Sequence, residues 1–137
     1  MEEEIDSNPR ELGAFARLIG LRFTAKANGF SQCVLRVGES LFNPNGVLHG
    51  GVVYSMADTG MGGALHSSLA ADETCATIEI NIVYLKAVTS GVLTCSTKLI
   101  HKGASIGVLE SDVENEGQLV AKALGTFSIL KARRAGS

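Results

Sequence analysis

The chain has 137 residues, of which 45% are hydrophobic and 19% are charged, and its formal net charge is -2. This length and composition indicate one compact domain over 1–137 rather than a disordered chain. The near-neutral charge argues against binding to nucleic acid or to an anionic membrane, because both need an extended basic surface. The mean hydropathy is positive, which favours an oligomer that hides apolar surface.

Cysteine usage and the N-terminus point to the cytoplasm. The three cysteines, Cys33, Cys75 and Cys95, form no CxxC pair, which is typical of reduced thiols rather than of a disulfide framework. The acidic start MEEEIDSNPR has no apolar signal core, and no apolar run could cross a membrane without polar interruption. We therefore expect a soluble cytoplasmic protein with flexible tails at 1–7 and 132–137.

The first predicted element is a short helix through PRELGAFARLIG. Pro9 suits its first turn, Ser7 or Asn8 suits its cap, and Gly20 is placed to end it. Apolar residues at helical spacing predict which side contacts the core. That face consists of Leu12, Phe15, Ala16 and Ile19.

A hairpin follows the short helix. Residues 21–26 and 30–38 have the pattern of strands. The Asn28-Gly29 pair between them is a strong signal for a tight turn between antiparallel strands.

The longest predicted element is a central helix over 50–69. The stretch is apolar nearly all round, which is typical of a helix buried on several sides. Its glycines lower helix propensity, but they allow neighbouring backbone to approach closely.

Four strands follow the central helix, and we predict that they form a meander. Alternation in the first of them puts four side chains on one face: Ile78, Ile80, Ile82 and Tyr84. Turn residues separate the strands, which cover 75–86, 92–102, 105–115 and 118–130. This order of elements predicts an α+β fold, in which an antiparallel sheet wraps one long helix.

The most informative stretch is NPNGVLHGG, which ends where the central helix begins. A helix N-terminus presents unpaired N–H groups and a partial positive charge. Gly50 and Gly51 leave those groups bare of side chains, so a carbonyl oxygen can approach them as it gains negative charge. In the loop, Asn43 and Asn45 are candidates to orient the same group, and His49 is a candidate for shaping the loop or for proton transfer.

A second unusual feature is Asp58, a carboxylate in the middle of the apolar helix. It lies nine residues after His49. At about 1.5 Å rise per residue, it is roughly 12–14 Å from the glycines along the helix axis. One helix therefore cannot bring Asp58 to a group bound at its own start. Two copies packed antiparallel about a two-fold axis can, and they generate two identical sites.

These residues suit the hydrolysis of an activated acyl group. Asp58 can act as general base or nucleophile, and the Gly50 N–H can act as the electrophilic donor. Thr77, near the start of the strand after the helix, is a candidate to position the attacking water. A thioester substrate suits these groups, because its leaving group needs less catalytic assistance than that of an amide.

The order and spacing of these motifs resemble the hotdog-fold thioesterases, specifically the PaaI-type (phenylacetyl-CoA thioesterase-like) family. The resemblance implies a hotdog fold and hydrolysis of an acyl-CoA, with no metal or separate cofactor, coenzyme A being part of the substrate. It also implies a homodimer that assembles into a homotetramer, with the sites at dimer interfaces. It rests on NPNGVLHGG followed by the aspartate, on NPRELGAFARLIGLRF, on ATIEINIVYLKA and on the HKGAS turn.

Position by position, the resemblance makes Asp58 the base or nucleophile and Gly50 the donor to the thioester oxygen. Asn43 and His49 fall on loop positions that shape the donor site. Thr77 falls on the position of a hydroxyl that orients the attacking water. In the HKGAS turn, family members often carry a basic residue where this chain has an alanine. The remaining candidates for substrate binding, including the CoA phosphates, are Gly51, Lys86, Lys102 and Ser105.

Two other functions share these motifs. A non-catalytic acyl-CoA-binding hotdog protein would bind acyl-CoA tightly without releasing free thiol. A hotdog enoyl-CoA hydratase usually pairs its aspartate with a histidine a few residues on, but four residues after Asp58 stands Gly62. The spacing of His66 and His101 from Asp58 predicts no metal site.

Overall fold

The computed structural model describes residues 9–131. The helix caps proposed at Ser7 and Asn8 and the tails 1–7 and 132–137 lie outside the described residues. The helices are α1 Pro9–Ile19 and α2 Gly50–His66, with a 3-10 turn at Glu39–Leu41. The strands are β1 Arg22–Ala27, β2 Phe30–Arg36, β3 Glu73–Tyr84, β4 Val92–Lys102, β5 Ile106–Asn115 and β6 Gln118–Lys131.

Helix α1 contacts the core through a narrower face than its sequence predicts. Ala16 and Ile19 are buried, but Phe15 is 58% exposed, so one row of side chains reaches the core rather than two. Gly13 has a φ of 81° and interrupts the helix. Gly20, with a φ of 77°, ends it as predicted, because glycine enters the left-handed region without steric cost.

The hairpin between β1 and β2 is confirmed. Asn28 and Gly29 have φ values of 54° and 81°, which are the two positive values that a type I′ turn requires. The strands pair antiparallel, with Ala27 opposite Phe30 next to the turn.

All six strands form one antiparallel sheet in the order β1-β2-β4-β5-β6-β3. The last three strands form a meander as predicted, but β3 does not join it next to β4. Instead β3 pairs with β6, from Glu73 opposite Lys131 to Tyr84 opposite Ala121, and forms an edge of the sheet. The predicted four-strand meander is therefore wrong. The segment between β3 and β4 is long enough to pass β6 and β5, so β3 does not have to pair with β4.

Helix α2 contacts every strand, so the sheet curves around it. The helix ends at His66, three residues before the predicted end, where Ser67 and Ser68 donate to the last helical carbonyls. Its buried side chains are apolar: Val52, Val53, Met56, Ala57, Met61, Ala64 and Leu65. The prediction of a helix buried on several sides is confirmed.

Helix α2 packs closely against the middle of the sheet at Gly60. A Cβ added at this residue would lie 3.0 Å from the Thr97 hydroxyl, which is fixed by a 2.6 Å hydrogen bond to Ser111. The buried Ser31 hydroxyl donates to the Gly60 carbonyl at 2.6 Å. Helix and sheet therefore approach closely without leaving these buried polar groups unpaired.

A bulge in the edge strand β3 changes which of its side chains face α2. The pairing of β3 shifts between Thr77 and Glu79, so Ile78 is an extra residue in the strand. As a result, Thr77 before the bulge and Ile80 after it both face the helix. Ile78 is 54% exposed, and the prediction that it lies on the same face of the strand as Ile80 is wrong because of this bulge.

Two glycine substitutions in α2 test this packing. We expect Gly60→Ala to lower the free energy of unfolding by about 1–2 kcal/mol, because the methyl group meets a fixed hydroxyl. Gly62→Ala is the matched control, since an added Cβ meets only the Phe127 ring at 3.9 Å. It should raise the free energy of unfolding by about 0.5–1 kcal/mol through helix propensity. Urea denaturation at one protein concentration measures both, and a Gly60→Ala variant as stable as Gly62→Ala would contradict the expectation.

Candidate active site

One side of α2 is not covered by the sheet. Residues on this side recur at helical spacing, and none of them is fully buried: Gly51, Ser55, Asp58, Gly62 and His66. Two of them, Gly62 and His66, line a cavity in the gap between β1 and β3, together with residues of both edge strands. Asp58 therefore lies on the open side of an otherwise apolar helix.

A hydroxyl of β3 holds the Asp58 carboxylate. Thr77 Oγ1 donates to Asp58 Oδ1 at 2.6 Å, and the bulge that follows Thr77 lets this residue face the helix. The sequence predicted that Thr77 orients a water. In the structure its proton points to Asp58, which leaves the oxygen lone pairs available to a water and the other carboxylate oxygen unpaired by described residues.

Cys75 is a further side chain near Asp58, and no sequence pattern predicted its role. It precedes Thr77 on the same face of β3 and is partly buried. Burial raises the pKa of the Cys75 thiol, and the negative charge of Asp58 raises it further. The thiol is therefore protonated at neutral pH and is a poor nucleophile.

His49 caps the N-terminus of α2. Its Nδ1 accepts a hydrogen bond of 2.8 Å from the Gly51 N–H, so Nδ1 carries no proton. This bond occupies the Gly51 N–H, whereas no described residue accepts from the Gly50 N–H. The imidazole thus shapes the helix start, and of the two glycines only Gly50 keeps a free backbone donor.

Tyr84 fixes the same helix start from β3. Its hydroxyl donates to the Gly50 carbonyl at 2.7 Å, and a Cβ at Gly50 would lie 3.2 Å from the tyrosine ring. Burial, and then the neighbouring Tyr54, raises the pKa of Tyr84, so the hydroxyl remains a donor. A cavity of about 360 Å³ opens beside Gly50, Tyr84 and Lys86. The alternation in β3 predicts that Tyr84 lies on a strand face, but no sequence pattern predicted its role at the helix start.

Asn43 organises the loop before α2. Its side-chain oxygen accepts from the Asn45 N–H at 2.9 Å and from the Val47 N–H at 3.4 Å. This arrangement is an Asx turn, which replaces backbone hydrogen bonds in an irregular loop. The geometry gives Asn43 a loop-shaping contact and no contact with Asp58.

The other substrate-binding candidates are dispersed. Lys86 lines the cavity at Gly50, and its Nζ donates to Gln118 at 2.9 Å. Lys102 donates to the Ser68 carbonyl at 3.1 Å, near the opposite end of α2. Ser105 is exposed, and its carbonyl accepts from the Ile129 N–H. Within one chain these residues do not form a common site with Asp58.

Within residues 9–131, no group of three or more histidine, cysteine or acidic side chains could hold a metal ion. No helix in the same range is long and apolar enough to span a membrane.

The Asp58 carboxylate and the Gly50 N–H are far apart within a single chain. Asp58 follows Gly50 by eight residues, which is about 12 Å along the helix. Asp58 is flanked by Thr77 and Cys75, and Gly50 by Tyr84 and Lys86, so each group has its own surroundings.

Comparison with known proteins identifies the class. A long helix wrapped by a six-stranded antiparallel sheet is the hotdog architecture, and the family model described as thioesterase superfamily matches residues 45–122, more than half of the chain. The chain therefore belongs to the thioesterase superfamily and is by class a thioester hydrolase. The resemblance to PaaI-type enzymes is confirmed.

Individual relatives agree with this assignment. A conserved protein from Pseudomonas aeruginosa superposes with a TM-score of 0.86 at 34% identity, covering 90% of this chain and 99% of its own. The acyl-coenzyme A thioesterase PaaI of Escherichia coli is 29% identical over 110 residues, 79% of this chain and 76% of its own. The 1,4-dihydroxy-2-naphthoyl-CoA hydrolase of Listeria monocytogenes is 29% identical over 117 residues, 85% of this chain and 95% of its own.

The Cys75 thiol reports on the charge of Asp58. We expect Asp58→Asn to lower the pKa of Cys75, since the thiolate no longer lies beside a negative charge. At a fixed, mildly alkaline pH, alkylation of Cys75 by iodoacetamide should accelerate roughly two- to fivefold, because the thiolate fraction rises tenfold per pKa unit.

Peptide mass spectrometry separates Cys75 from Cys33 and Cys95, which are both 0% exposed. Asp112→Asn is the control, as this acid pairs with Lys122 elsewhere on the sheet. Equal alkylation rates in the wild type and the Asp58→Asn variant would show that the carboxylate does not act on the thiol.

Proposed function

We propose that the protein is an acyl-CoA thioesterase that hydrolyses an aryl- or medium-chain acyl-CoA to the free acid and CoA. The observation that carries the proposal is the Asp58 carboxylate, held by Thr77 at 2.6 Å on the open side of a buried helix. The relatives named as acyl-CoA and naphthoyl-CoA hydrolases support an acyl-CoA substrate.

The two groups of the site divide the chemistry. The thioester oxygen accepts from the Gly50 N–H, where the helix dipole favours the negative charge that develops on it. Asp58 of the partner subunit takes a proton from water while the water oxygen attacks the acyl carbon. The resulting tetrahedral intermediate collapses with cleavage of the carbon–sulfur bond, and the CoA sulfur receives the proton. Attack by the carboxylate itself, with an anhydride intermediate, uses the same positions.

A dimer is part of this proposal because of the separation between Gly50 and Asp58 within one helix. Antiparallel packing of two copies of α2 about a two-fold axis brings Gly50 of each copy towards the other's carboxylate. At the sheet edge, β3 has unpaired backbone groups and exposes Ile78 and Tyr84. Assembly into a homotetramer and a cytoplasmic location remain predictions.

Substitution of the carboxylate tests the reaction. Asp58→Asn should lower kcat by about 10²–10⁴-fold, because an amide of the same shape cannot accept the proton. The measurement is release of free thiol from a panel of aryl- and aliphatic acyl-CoAs.

Asp72→Asn is the control, since Asp72 pairs with Lys131 on the surface. Its kcat should equal that of the wild type. Full activity of the Asp58→Asn variant would overturn the assigned role of Asp58. Tight acyl-CoA binding with no thiol release from the wild type would instead indicate a non-catalytic binding protein.

Mixing two inactive variants tests whether the site is shared between chains. In Gly50→Val the new side chain meets the Tyr84 ring, 3.2 Å from the Cβ position, and blocks the backbone donor. A heterodimer of Gly50→Val with Asp58→Asn has one site with both groups intact only if Gly50 and Asp58 come from different chains.

Denatured and refolded mixtures of the two variants should recover roughly a quarter of wild-type activity, because half of the dimers are mixed and each has one intact site. Each variant refolded alone serves as the control. No recovery, although mixed dimers are detected by native mass spectrometry, would place both groups of a site in one chain.

A further inference from the structure

A cavity of about 470 Å³ lies beside Asp58 in the gap between β1 and β3. Thr59, directly after Asp58, and Cys75, whose thiol is influenced by the Asp58 charge, both line it. From there it follows α2 towards its C-terminus, past Gly62 and Gly63 to His66. Its volume is typical of a pocket for a small organic group. We call this cavity the chamber.

The walls of the chamber are mostly apolar. The Phe23 ring lies so close to Gly63 that a Cβ there would be 2.7 Å from the ring. Gly62 has no side chain to occupy the space, and an added Cβ would meet only the Phe127 ring at 3.9 Å. A hydrophobic acyl group that starts at Asp58 therefore has room to extend along the helix.

A β-bulge turns one cation towards this chamber. The pairing of β1 with β2 shifts between Phe23 and Ala25, so Thr24 is an extra residue in β1. Phe23 is opposite the buried Cys33, and Lys26 is opposite the buried Ser31, whose hydroxyl contacts α2. Without the bulge, alternation would put Lys26 on the outer face of the sheet. Bulges next to active sites commonly re-aim a side chain in this way.

The Lys26 ammonium has an incomplete set of partners. It lies 4.8 Å from the centroid of the Phe23 ring, and no carboxylate of the described residues pairs with it. His66, which also lines this chamber, has no side-chain hydrogen bond to a described residue. A cation and an imidazole at the end of an apolar pocket are complementary to an anionic or hydrogen-bond-accepting group.

We propose that Lys26, with His66, forms an anion subsite at the end of the chamber remote from Asp58, and that it selects substrates with a negative charge there. The proposal rests on the function proposed above, because Asp58 defines where the thioester begins. His66 follows Asp58 by eight residues, about 12 Å along the helix, so the bound anion is that far from the scissile bond. The anion is the terminal carboxylate of an acyl chain or a phosphate of CoA, and these two sources require different probes.

The test measures binding rather than turnover. The probes are 2-oxoalkyl thioethers of CoA, which keep the carbonyl but cannot be hydrolysed, with octanoyl-length chains that end in a methyl or in a carboxylate. A third probe joins the methyl-ended chain to pantetheine, which lacks the phosphates. Titration calorimetry gives Kd for the wild type and for Lys26→Met, which keeps an apolar stem over Phe23 and removes the charge. Lys98→Met, on an exposed lysine of β4, is the control.

If the subsite binds an acyl carboxylate, Lys26→Met raises Kd about tenfold for the carboxylate-ended probe and leaves the methyl-ended probe unchanged. If it binds a phosphate, Kd rises for both CoA probes and not for the pantetheine probe. Equal Kd values for wild type and Lys26→Met with all three probes, or the same change in Lys98→Met, would overturn the proposal. Failure of thioester hydrolysis alone would contradict the proposed function and leave these binding results valid.

Discussion

The close packing of α2 against the sheet at Gly60 is the contact on which the rest of the structure depends. There the helix backbone approaches the hydroxyls of Thr97 and Ser31, and Ser31 donates to the Gly60 carbonyl. The sheet can curve around the helix because Gly60 has no side chain to separate the helix from the strands at this point. All six strands then contact one helix, and most of its apolar side chains are buried.

Six strands do not close around the helix, and that gap makes a site possible. The two edge strands, β1 and β3, leave one side of α2 uncovered, and the helix can carry a carboxylate there without burying an unpaired charge. A bulge in each edge strand re-aims a polar side chain at this gap: Thr77 in β3 and Lys26 in β1. The same edges that end the sheet therefore supply Thr77 beside Asp58 and Lys26 farther along the gap.

The helix also separates the Gly50 N–H from the Asp58 carboxylate. Its N-terminus provides the Gly50 N–H as a backbone donor. The His49 side chain accepts from the Gly51 N–H, and Tyr84 donates to the Gly50 carbonyl, so neither contact uses the Gly50 N–H. Its middle provides the carboxylate, about two turns away. A rigid helix cannot fold back on itself, so a second copy is the simplest means of uniting the two groups. In the mechanism proposed above, dimer formation is therefore a condition of activity.

Local sequence patterns determined the helix and strand segments, the Asn28-Gly29 turn, the α+β class, and Gly50 and Asp58 as candidate residues. Each of these depends on turn chemistry or on periodicity within a few residues. The tertiary structure alone decided that β3 pairs with β6, that Ile78 is a bulge, that Thr77 holds Asp58 and that Tyr84 holds Gly50. These features depend on contacts between residues far apart in the chain, where a one-residue shift in pairing reverses every side chain that follows.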